Sequence, residues 1–370
     1  MYMHEFQGVR IAALAAAVPD HLEANMGYAK QFSEDEIEKF CQSTGIWTRY
    51  SSLGVGTTTS DLCVAAAEQI FRRTQINRET IDGLILLTQS PDYITPPTSC
   101  VIQYRLGLEN CDLVYDSNIG CTGFPYGIQM ACADLTAGCK RVLLLVGDSR
   151  PEIPGFQKDD LLFGDCGIAA VLERSDETAP IKTAIRTIGK GYVSLFAPYG
   201  MWRHTLNSFY RDRGLEDTLA FCNKETMQGT DVFTFSIKDA PKAAKEFLAH
   251  FNCAMDDYDL VSIHQANKLI VDNVAKRIKA PAEKVLWTLD RYGNTRGAST
   301  ALNICDYAER ENVHGGMKRI LNLAFGIGLN IALADFELDM SGVLPIIKTS
   351  EVFDDGIGSF TYFSDREEVD

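Results

Sequence analysis

The chain alternates between short, almost continuously apolar runs and longer segments in which apolar residues recur at helical spacing. The runs at residues 83–88, 113–116, 260–264 and 285–289 predict strands. Helical spacing follows at residues 126–136, and again after His264 through Ile270, Val274 and Ile278. Strands without polar alternation are typical of sheets covered by helices on both faces. The pattern therefore predicts a layered α/β fold.

An internal repeat divides this alternation into two similar halves. At a constant offset of 178 residues, identical residues pair Asp61 with Asp239, Ala65 with Ala243, Ala66 with Ala244, Glu68 with Glu246, Lys140-Arg141 with Lys318-Arg319, Leu143 with Leu321 and Leu145 with Leu323. Alanine-rich helices produce some matches by chance, whereas the basic pair before an apolar strand is harder to dismiss. We expect an N-terminal half at residues 1–176, a C-terminal half at 177–338 and an acidic extension at 339–370.

Length and cysteine usage indicate a large enzyme of a reducing compartment. A chain of 370 residues with 46% hydrophobic content can bury an ample core. The eleven cysteines include no Cys-x-x-Cys pair, which argues against a disulfide framework and against a zinc site. The longest early apolar run, residues 11–18, is short and mostly alanine, so we expect neither a signal peptide nor a membrane span. A cytoplasmic location is the expectation.

The net charge of −15 argues against nonspecific nucleic-acid binding, because no basic excess is present to neutralise phosphates. Part of this charge is local. Residues 351–370 contain seven acids and one arginine, so the predicted extension carries much of the acidity.

Cys121 is the first candidate for chemistry. It lies between the strand-like run 113–116 and the helical pattern 126–136, with Gly120 and Gly123 around it and Pro125 in the expected first helical turn. Unpaired N–H groups and the helix dipole at such a position favour a thiolate, so we expect a lowered pKa and a nucleophilic role. The alternative is a small buried cysteine with no chemical role, as expected for most of the others.

His264 and Asn294 occupy equivalent places downstream. His264 ends one strand-like run, and Asn294 follows the run at 285–289. Active-site groups of α/β sheets collect at such strand ends. Taken singly, His264 is as well explained by a core or capping role, and Asn294 by a turn. Together with Cys121 they form a candidate catalytic set.

Five ordered motifs now resemble those of the β-ketoacyl-acyl carrier protein synthase III family of the thiolase superfamily. They lie at residues 120–124, 163–167, 264–267, 293–295 and 325–328, within a likeness that spans about Val9 to Glu337. The resemblance implies two duplicated halves in a five-layer αβαβα arrangement. It also implies that Cys121 is the nucleophile, that the backbone N–H groups of Cys121 and Ile327 form the oxyanion hole, and that His264 and Asn294 are the other catalytic groups.

The activity implied by the resemblance is a decarboxylative Claisen condensation. An acyl primer, delivered by coenzyme A or by acyl carrier protein, would be held on Cys121 and joined to malonyl-acyl carrier protein. No metal or redox cofactor is implied. The basic residues Lys268, Lys276 and Arg277 match a patch that family members use for the acidic carrier protein, although a solvated helix face explains them equally well. A homodimer is implied as well.

Several positions depart from the family pattern. Lys39 and Ser43 stand where bacterial members have a tryptophan and an arginine that grip the adenine of coenzyme A. Thr95 replaces a phenylalanine that reaches into the partner's acyl pocket, and this smaller gate would admit a longer or branched primer. Arg296 replaces a small residue, and either pairs with a substrate carboxylate or, as we slightly favour, with Asp290.

These departures leave the pathway open between fatty-acid initiation and specialised lipid or polyketide synthesis. Two further functions stay open. One is acyl transfer to a hydroxyl or amine acceptor without condensation, against which the retained Asn294 counts. The other is a non-catalytic partner subunit, against which the full set of Cys121, His264 and Asn294 counts.

Overall fold

The computed structural model describes residues 1–153, 156–176, 178–215, 217–218 and 225–356. Its N-terminal half is built on a six-stranded sheet. The strand order is β15 (Ile347–Thr349), β2 (Val9–Pro19), β8 (Cys166–Arg174), β7 (Arg141–Asp148), β5 (Gly83–Leu87) and β6 (Leu113–Ser117). β8 is antiparallel to both of its neighbours, β2 and β7, whereas the pairs β15–β2, β7–β5 and β5–β6 are parallel.

The second large sheet repeats this order in the C-terminal half. Its strands are β1 (Tyr2–Phe6), β9 (Ile181–Thr187), β14 (Asn330–Asp339), β13 (Met317–Gly326) and β12 (Leu260–Ile263). β9, β14 and β13 are antiparallel, and β13 is parallel to β12. The spatial strand order β2-β8-β7-β5 in one sheet thus corresponds, with the same relative strand directions, to β9-β14-β13-β12 in the other. This repeat confirms the predicted duplication. Small two-stranded pairs join β3 (Leu22–Ala24) to β4 (Thr48–Tyr50) and β10 (Leu195–Phe196) to β11 (Thr226–Met227).

Helices fill the spaces around the two sheets. They lie at Ala29–Phe32, Glu34–Thr44, Thr59–Arg73, Thr98–Leu106, Gly123–Ala137, Leu206–Arg213, Gly229–His250, Lys268–Ile278, Leu289–Tyr292 and Ser299–Arg310. None of the helices in the described ranges has the length and apolar character needed to cross a bilayer.

Three apolar cores separate five layers. The first lies outside the N-terminal sheet, where Cys63 and Ala66 of one helix meet Ile102 of the next. The central core lies between the sheets and contains the helices Gly123–Ala137 and Ser299–Arg310. The third lies outside the C-terminal sheet, beneath the helices Gly229–His250 and Lys268–Ile278. The predicted five-layer αβαβα arrangement is confirmed.

Both ends of the described chain cross between the halves. β1 joins the C-terminal sheet by pairing with β9, and β15 joins the N-terminal sheet by pairing with β2. Residues 347–349 of the predicted extension therefore belong to the sheet rather than to an appendage. The chain passes from one sheet to the other between Arg174 and Ile181. The boundary at residues 176–177 remains a prediction, and residues 357–370 lie outside the described ranges.

The predicted strand at residues 285–289 is wrong. Val285 makes an isolated bridge with Val261, and Leu289–Tyr292 is already helical. The reason is that side chains satisfy the backbone here: Gln265 donates to the carbonyl of Leu286, and Arg291 donates to that of Trp287. The segment occupies the place that β6 has in the other half, but without a ladder of strand pairing.

Candidate active site

Cys121 lies in a tight loop directly before the helix Gly123–Ala137. The N–H of Gly123 donates to the carbonyl of Gly120 at 2.7 Å, which closes a turn around the thiol. This loop packs against the segment that follows Asn294 in the other half. A methyl group on Gly297 would lie 2.7 Å from the carbonyl oxygen of Gly120, so the two backbones approach too closely for any side chain. The halves therefore meet at Cys121.

The turn between β13 and β14 brings backbone donors to the thiol. A methyl group on Gly326 would lie 2.5 Å from Cys121 Cβ and 2.7 Å from Sγ, so only glycine fits beside the thiol. The backbone of the next residue, Ile327, hydrogen-bonds to the Cys121 thiol. The Ile327 N–H is thus at the sulfur. Its role in an oxyanion hole, which the family resemblance implies, stays a prediction.

The expectation of an acidic thiol is wrong. Burial raises the pKa of Cys121 to about 11, and the hydrogen bond from Ile327 offsets only part of the effect. Nearby carboxylates, Glu225 and Asp148, raise this pKa further, while the guanidinium of Arg296 lowers it. The helix N-terminus was visible in the sequence, but the burial and the two acids were not. The resting side chain is a neutral thiol.

His264 lies directly after β12 and is 2% exposed. Its Nδ1 is 2.8 Å from the Ser299 hydroxyl, and its ring meets the edge of Phe325 with centroids 5.7 Å apart. Burial lowers the pKa of His264 to about 4, although a hydrogen bond with the backbone of Arg296 raises it in part. The ring is therefore a neutral imidazole at pH 7, with one N–H to donate.

Asn294 is oriented by its own loop. Its N–H donates to the carbonyl of Leu162, and its carbonyl accepts from Gly164. The side-chain Oδ1 accepts the Arg296 N–H at 2.9 Å. Because a backbone N–H can only donate, the atom facing it is the oxygen, and the Asn294 amide nitrogen is left as a donor toward the other side. The motif at residues 163–167 thus holds Asn294 in place.

Arg296 pairs with Asp165 rather than with Asp290. Its Nη1 is 3.5 Å from Asp165 Oδ1, and its guanidinium lies 4.6 Å from the centroid of the Phe163 ring. Asp290 pairs instead with its neighbour Arg291. Arg296 therefore pairs with a carboxylate of the protein, as we favoured, but the predicted carboxylate, Asp290, is wrong. Asp165 was not considered because it is 131 residues away in the chain. Arg296 also adopts φ 49°, in the left-handed region that side chains rarely occupy.

Three ionisable residues at this site were missed. Asp148 ends β7, Arg150 follows two residues later, and Glu225 precedes β11. The charges of Asp148 and Glu225 act on Cys121, while Arg150 interacts with Arg296. Asp148 and Arg150 could have been found, because they follow an apolar strand just as His264 does. Nothing in the sequence pattern around Glu225 pointed to the site.

The remaining predicted binding residues lie elsewhere. Thr95 lines a surface groove of about 440 Å³, together with Tyr93, Pro96, Cys100, Val101, Tyr104, Phe353 and Asp355. Lys268, Lys276 and Arg277 are exposed on the helix that follows His264. Lys268 is ion-paired with Asp272 at 2.8 Å and stands over the Trp287 ring. Within the described ranges, no group of three or more His, Cys, Asp or Glu side chains is arranged to hold a metal ion.

Comparison with known proteins places this geometry in a family. Residues 115–189 match the family model described as 3-oxoacyl-(acyl-carrier-protein) synthase III, and residues 248–337 match the model of its C-terminal part. The first segment contains Cys121, and the second contains His264, Asn294 and Ile327.

Individual relatives agree over most of the chain. The β-ketoacyl-(acyl-carrier-protein) synthase III of Clostridium perfringens is 33% identical over 84% of this chain and 93% of its own length. That of Fusobacterium nucleatum is 30% identical over 87% of this chain and 96% of its own length. The crystal structure of 3-oxoacyl-(acyl-carrier protein) synthase from Burkholderia xenovorans superposes with a TM-score of 0.85 at 29% identity, covering 94% of this chain and 99% of that one. The chain therefore belongs to the 3-oxoacyl-(acyl-carrier-protein) synthase III family of acyl-transferring condensing enzymes.

Proposed function

We propose that this protein condenses an acyl primer, held as a thioester on Cys121, with malonyl-acyl carrier protein. One observation carries the proposal: groups from both halves meet at a single thiol. The Ile327 backbone reaches the Cys121 sulfur, and the loop of Asn294 and Arg296 packs against the loop of Cys121. His264 is tied to the same loop through the backbone of Arg296.

The first half-reaction is acylation of the thiol. The Cys121 sulfur attacks the thioester carbonyl of the primer, and the thiol of coenzyme A or of the carrier protein leaves with the proton. The N–H groups of Cys121 and Ile327 supply hydrogen bonds to the oxygen that becomes negative. Because burial raises the pKa of Cys121 to about 11, deprotonation accompanies the attack rather than preceding it.

The second half-reaction needs donors for an enolate. Malonyl thioester loses carbon dioxide, and the negative charge moves to its thioester oxygen. The free amide nitrogen of Asn294 supplies an N–H group for that oxygen. The neutral imidazole of His264 supplies its single N–H in exchange for its hydrogen bond with the backbone of Arg296. The carbanion then attacks the acyl carbon, the bond to Cys121 sulfur breaks, and a β-ketoacyl product with two added carbons leaves the enzyme.

Carrier protein and subunit contacts are assigned to two surfaces. The exposed Lys276 and Arg277, with Lys268 beside them, attract an acidic carrier protein, and association weakens as salt screens this attraction. The groove lined by Thr95 and Tyr104 is assigned to a homodimer contact. No metal or redox cofactor has a part in this mechanism. The product enters fatty-acid or specialised lipid synthesis in the cytoplasm.

Intact-protein mass spectrometry tests the proposal. The protein is incubated with a panel of acyl-coenzyme A and acyl-carrier protein thioesters, and malonyl-carrier protein is added afterwards. We expect one acyl group on Cys121, which malonyl-carrier protein then discharges as an extended β-ketoacyl thioester. Cys121→Ala should accumulate no acyl-enzyme, while Cys139→Ala, which removes a half-buried cysteine beyond the far end of the helix Gly123–Ala137, should acylate normally.

Two outcomes would redirect the assignment. If folded protein accepts no primer from the panel, the partner-subunit alternative gains. If Cys121 is acylated but passes the acyl group to a hydroxyl or amine without releasing carbon dioxide, the enzyme is an acyltransferase that does not condense.

A further inference from the structure

Three charged side chains at the active site have buried polar atoms without a hydrogen-bond partner in the part of the chain that the structure describes. We call Asp148, Arg150 and Arg296 the acid–arginine cluster. Four of its buried atoms have no hydrogen-bond partner within the described ranges: Asp148 Oδ2, Arg150 Nε and Nη2, and Arg296 Nη2. Asp148 and Arg296 are 2% and 4% exposed. Unpaired polar atoms at this depth are rare and costly, so a group of four requires a physical reason.

The cluster is held rigidly by its other atoms. Asp148 Oδ1 accepts from the N–H of Gln89 at 2.7 Å and from the hydroxyl of Thr88. Arg296 is fixed by Asp165, and both guanidinium groups stack on the ring of Phe163, at 4.6 Å for Arg296 and 4.8 Å for Arg150. The unpaired atoms therefore belong to side chains already fixed in position. This is the preorganisation that a binding site needs.

The cluster adjoins the nucleophile. Gln89, which holds Asp148, is so close to Gly120 that a methyl group there would overlap its side chain. Gly297, next to Arg296, packs on Gly120 and Gly123. The charges of Asp148 and Arg296 both act on the Cys121 sulfur. Asp148 and Arg296 therefore lie near enough for their charges to act on a group attached to the sulfur, and Arg150 shares the Phe163 ring with Arg296.

From this geometry we infer that the primer carries a hydroxyl group, which the acid–arginine cluster binds while the acyl carbon is on Cys121. A hydroxyl accepts a hydrogen bond from a guanidinium and donates one to Asp148 Oδ2, so it matches both kinds of unpaired atom. The inference rests on the proposed acyl-Cys121 intermediate and specifies the class of its acyl group.

Other primer classes match the cluster less well. A plain alkyl chain would leave all four atoms unpaired and shield them from water. A carboxylate would satisfy the arginines, but the site already has the carboxylates of Asp148, Asp165, Asp160 and Glu225 around two guanidinium groups. A further negative charge is therefore opposed, whereas an uncharged hydroxyl is not.

The test uses four primers of equal chain length, presented as coenzyme A thioesters: butyryl, 3-hydroxybutyryl, 4-hydroxybutyryl and succinyl. The rate of Cys121 acylation is followed by intact-protein mass spectrometry, without the malonyl step. We expect at least one hydroxybutyryl primer to acylate Cys121 about tenfold or more faster than butyryl, because a site built for a hydroxyl rejects the analogue without it. Succinyl should be slower than the better hydroxybutyryl primer.

Two variants test whether the preference for a hydroxybutyryl primer depends on the acid–arginine cluster. Asp148→Asn and Arg296→Met each remove a group from the cluster and should bring the hydroxybutyryl and butyryl rates together. Arg78→Met is the matched control, because Arg78 also stacks on a phenylalanine ring, Phe71, and pairs with a carboxylate, Glu68. That variant should keep the preference of the parent protein. The primer panel on the parent protein decides the question even if a cluster variant fails to fold.

The outcomes separate the inference from the proposed function. Butyryl acylation as fast as that of both hydroxybutyryl primers would overturn the inference but leave the acyl-enzyme proposal intact. Fastest acylation by succinyl would overturn the hydroxyl assignment in favour of a carboxylate. Folded protein that no primer in this or the wider panel acylates would overturn the proposed function, and the inference with it.

Discussion

The two halves share one strand order, but the equivalent strands β7 and β13 end in residues with different properties. The offset of 178 residues pairs Asp148, the last residue of β7, with Gly326, the last residue of β13. Asp148 places a carboxylate near Cys121, whereas Gly326 has no side chain and lets the backbone of β13 press against the thiol. The N-terminal half thus contributes charge at this position, and the C-terminal half contributes close approach.

The residues that follow the neighbouring strands differ in the same way. Thr88 follows β5 and donates to Asp148, while His264 follows β12 and is left as a neutral imidazole. The duplicated fold therefore has two equivalent sets of strand ends, and the active site depends on the different residues at those ends. Changes that make one half resemble the other should have graded effects.

Gly326→Ala should have the largest effect, because it gives this strand end the side chain that its counterpart has. The added methyl would lie 2.5 Å from Cys121 Cβ, so the thiol or the turn must shift. We expect acylation of Cys121 to be nearly abolished and stability to fall by about 1–3 kcal/mol, as for overpacking. Acylation by mass spectrometry and the melting temperature are the measurements.

Gly315→Ala is the control, since a methyl there meets no atom within 4 Å. A Gly326→Ala protein that acylates at the parent rate would show that the close approach at β13 has no catalytic purpose.

His264→Ala comes next and separates the two half-reactions. The variant should still form acyl-Cys121, but decarboxylation of malonyl-carrier protein should fall about 10²- to 10³-fold, the usual cost of removing one donor to a developing oxyanion. Release of carbon dioxide from labelled malonyl thioester measures the loss. His314→Ala, which changes an exposed loop histidine, should release it normally. Unchanged release from His264→Ala would remove this residue from the mechanism.

The pH dependence of the thiol tests its burial where the two halves meet. Because burial raises the pKa of Cys121 to about 11, its thiolate fraction should rise about tenfold per pH unit between pH 7 and 9. Alkylation of Cys121 by iodoacetamide, quantified by peptide mass spectrometry, should follow this slope without a plateau. A small-molecule thiol alkylated under the same conditions is the reference for the reagent. A plateau below pH 8 would mean that the thiol is acidic after all.

How much the sequence could predict depends on whether a feature is local. The strand before Cys121, the helix after it and the strand before His264 follow from apolar patterning within a few residues, and they are correct. The pKa of Cys121 was predicted with the wrong sign because the helix terminus is local, whereas burial and the charges of Asp148 and Glu225 come from distant segments.

The same distinction explains the other errors. The run at 285–289 has the apolar residues of a strand, but side chains of Gln265 and Arg291 bind its carbonyls and prevent a ladder. Arg296 was given a partner close in sequence, whereas its true partner, Asp165, is contributed by the other half. Patterning predicts elements, but the partners of a charged side chain depend on how the elements pack.

The smallest effect is expected at Ser299, which positions His264 rather than touching substrate. Its hydroxyl is 2.8 Å from His264 Nδ1, and both groups are buried, so Ser299→Ala leaves a ring nitrogen without this partner. A lost hydrogen bond of about 1 kcal/mol corresponds to roughly a fivefold slower decarboxylation, with acylation unchanged. Ser299→Thr retains a hydroxyl and should recover most of the rate. If Ser299→Ala slowed acylation as much as decarboxylation, the hydroxyl would be supporting the loop of Cys121 rather than the imidazole of His264. The C-terminal half would then contribute to acylation through Ser299 as well as through Gly326.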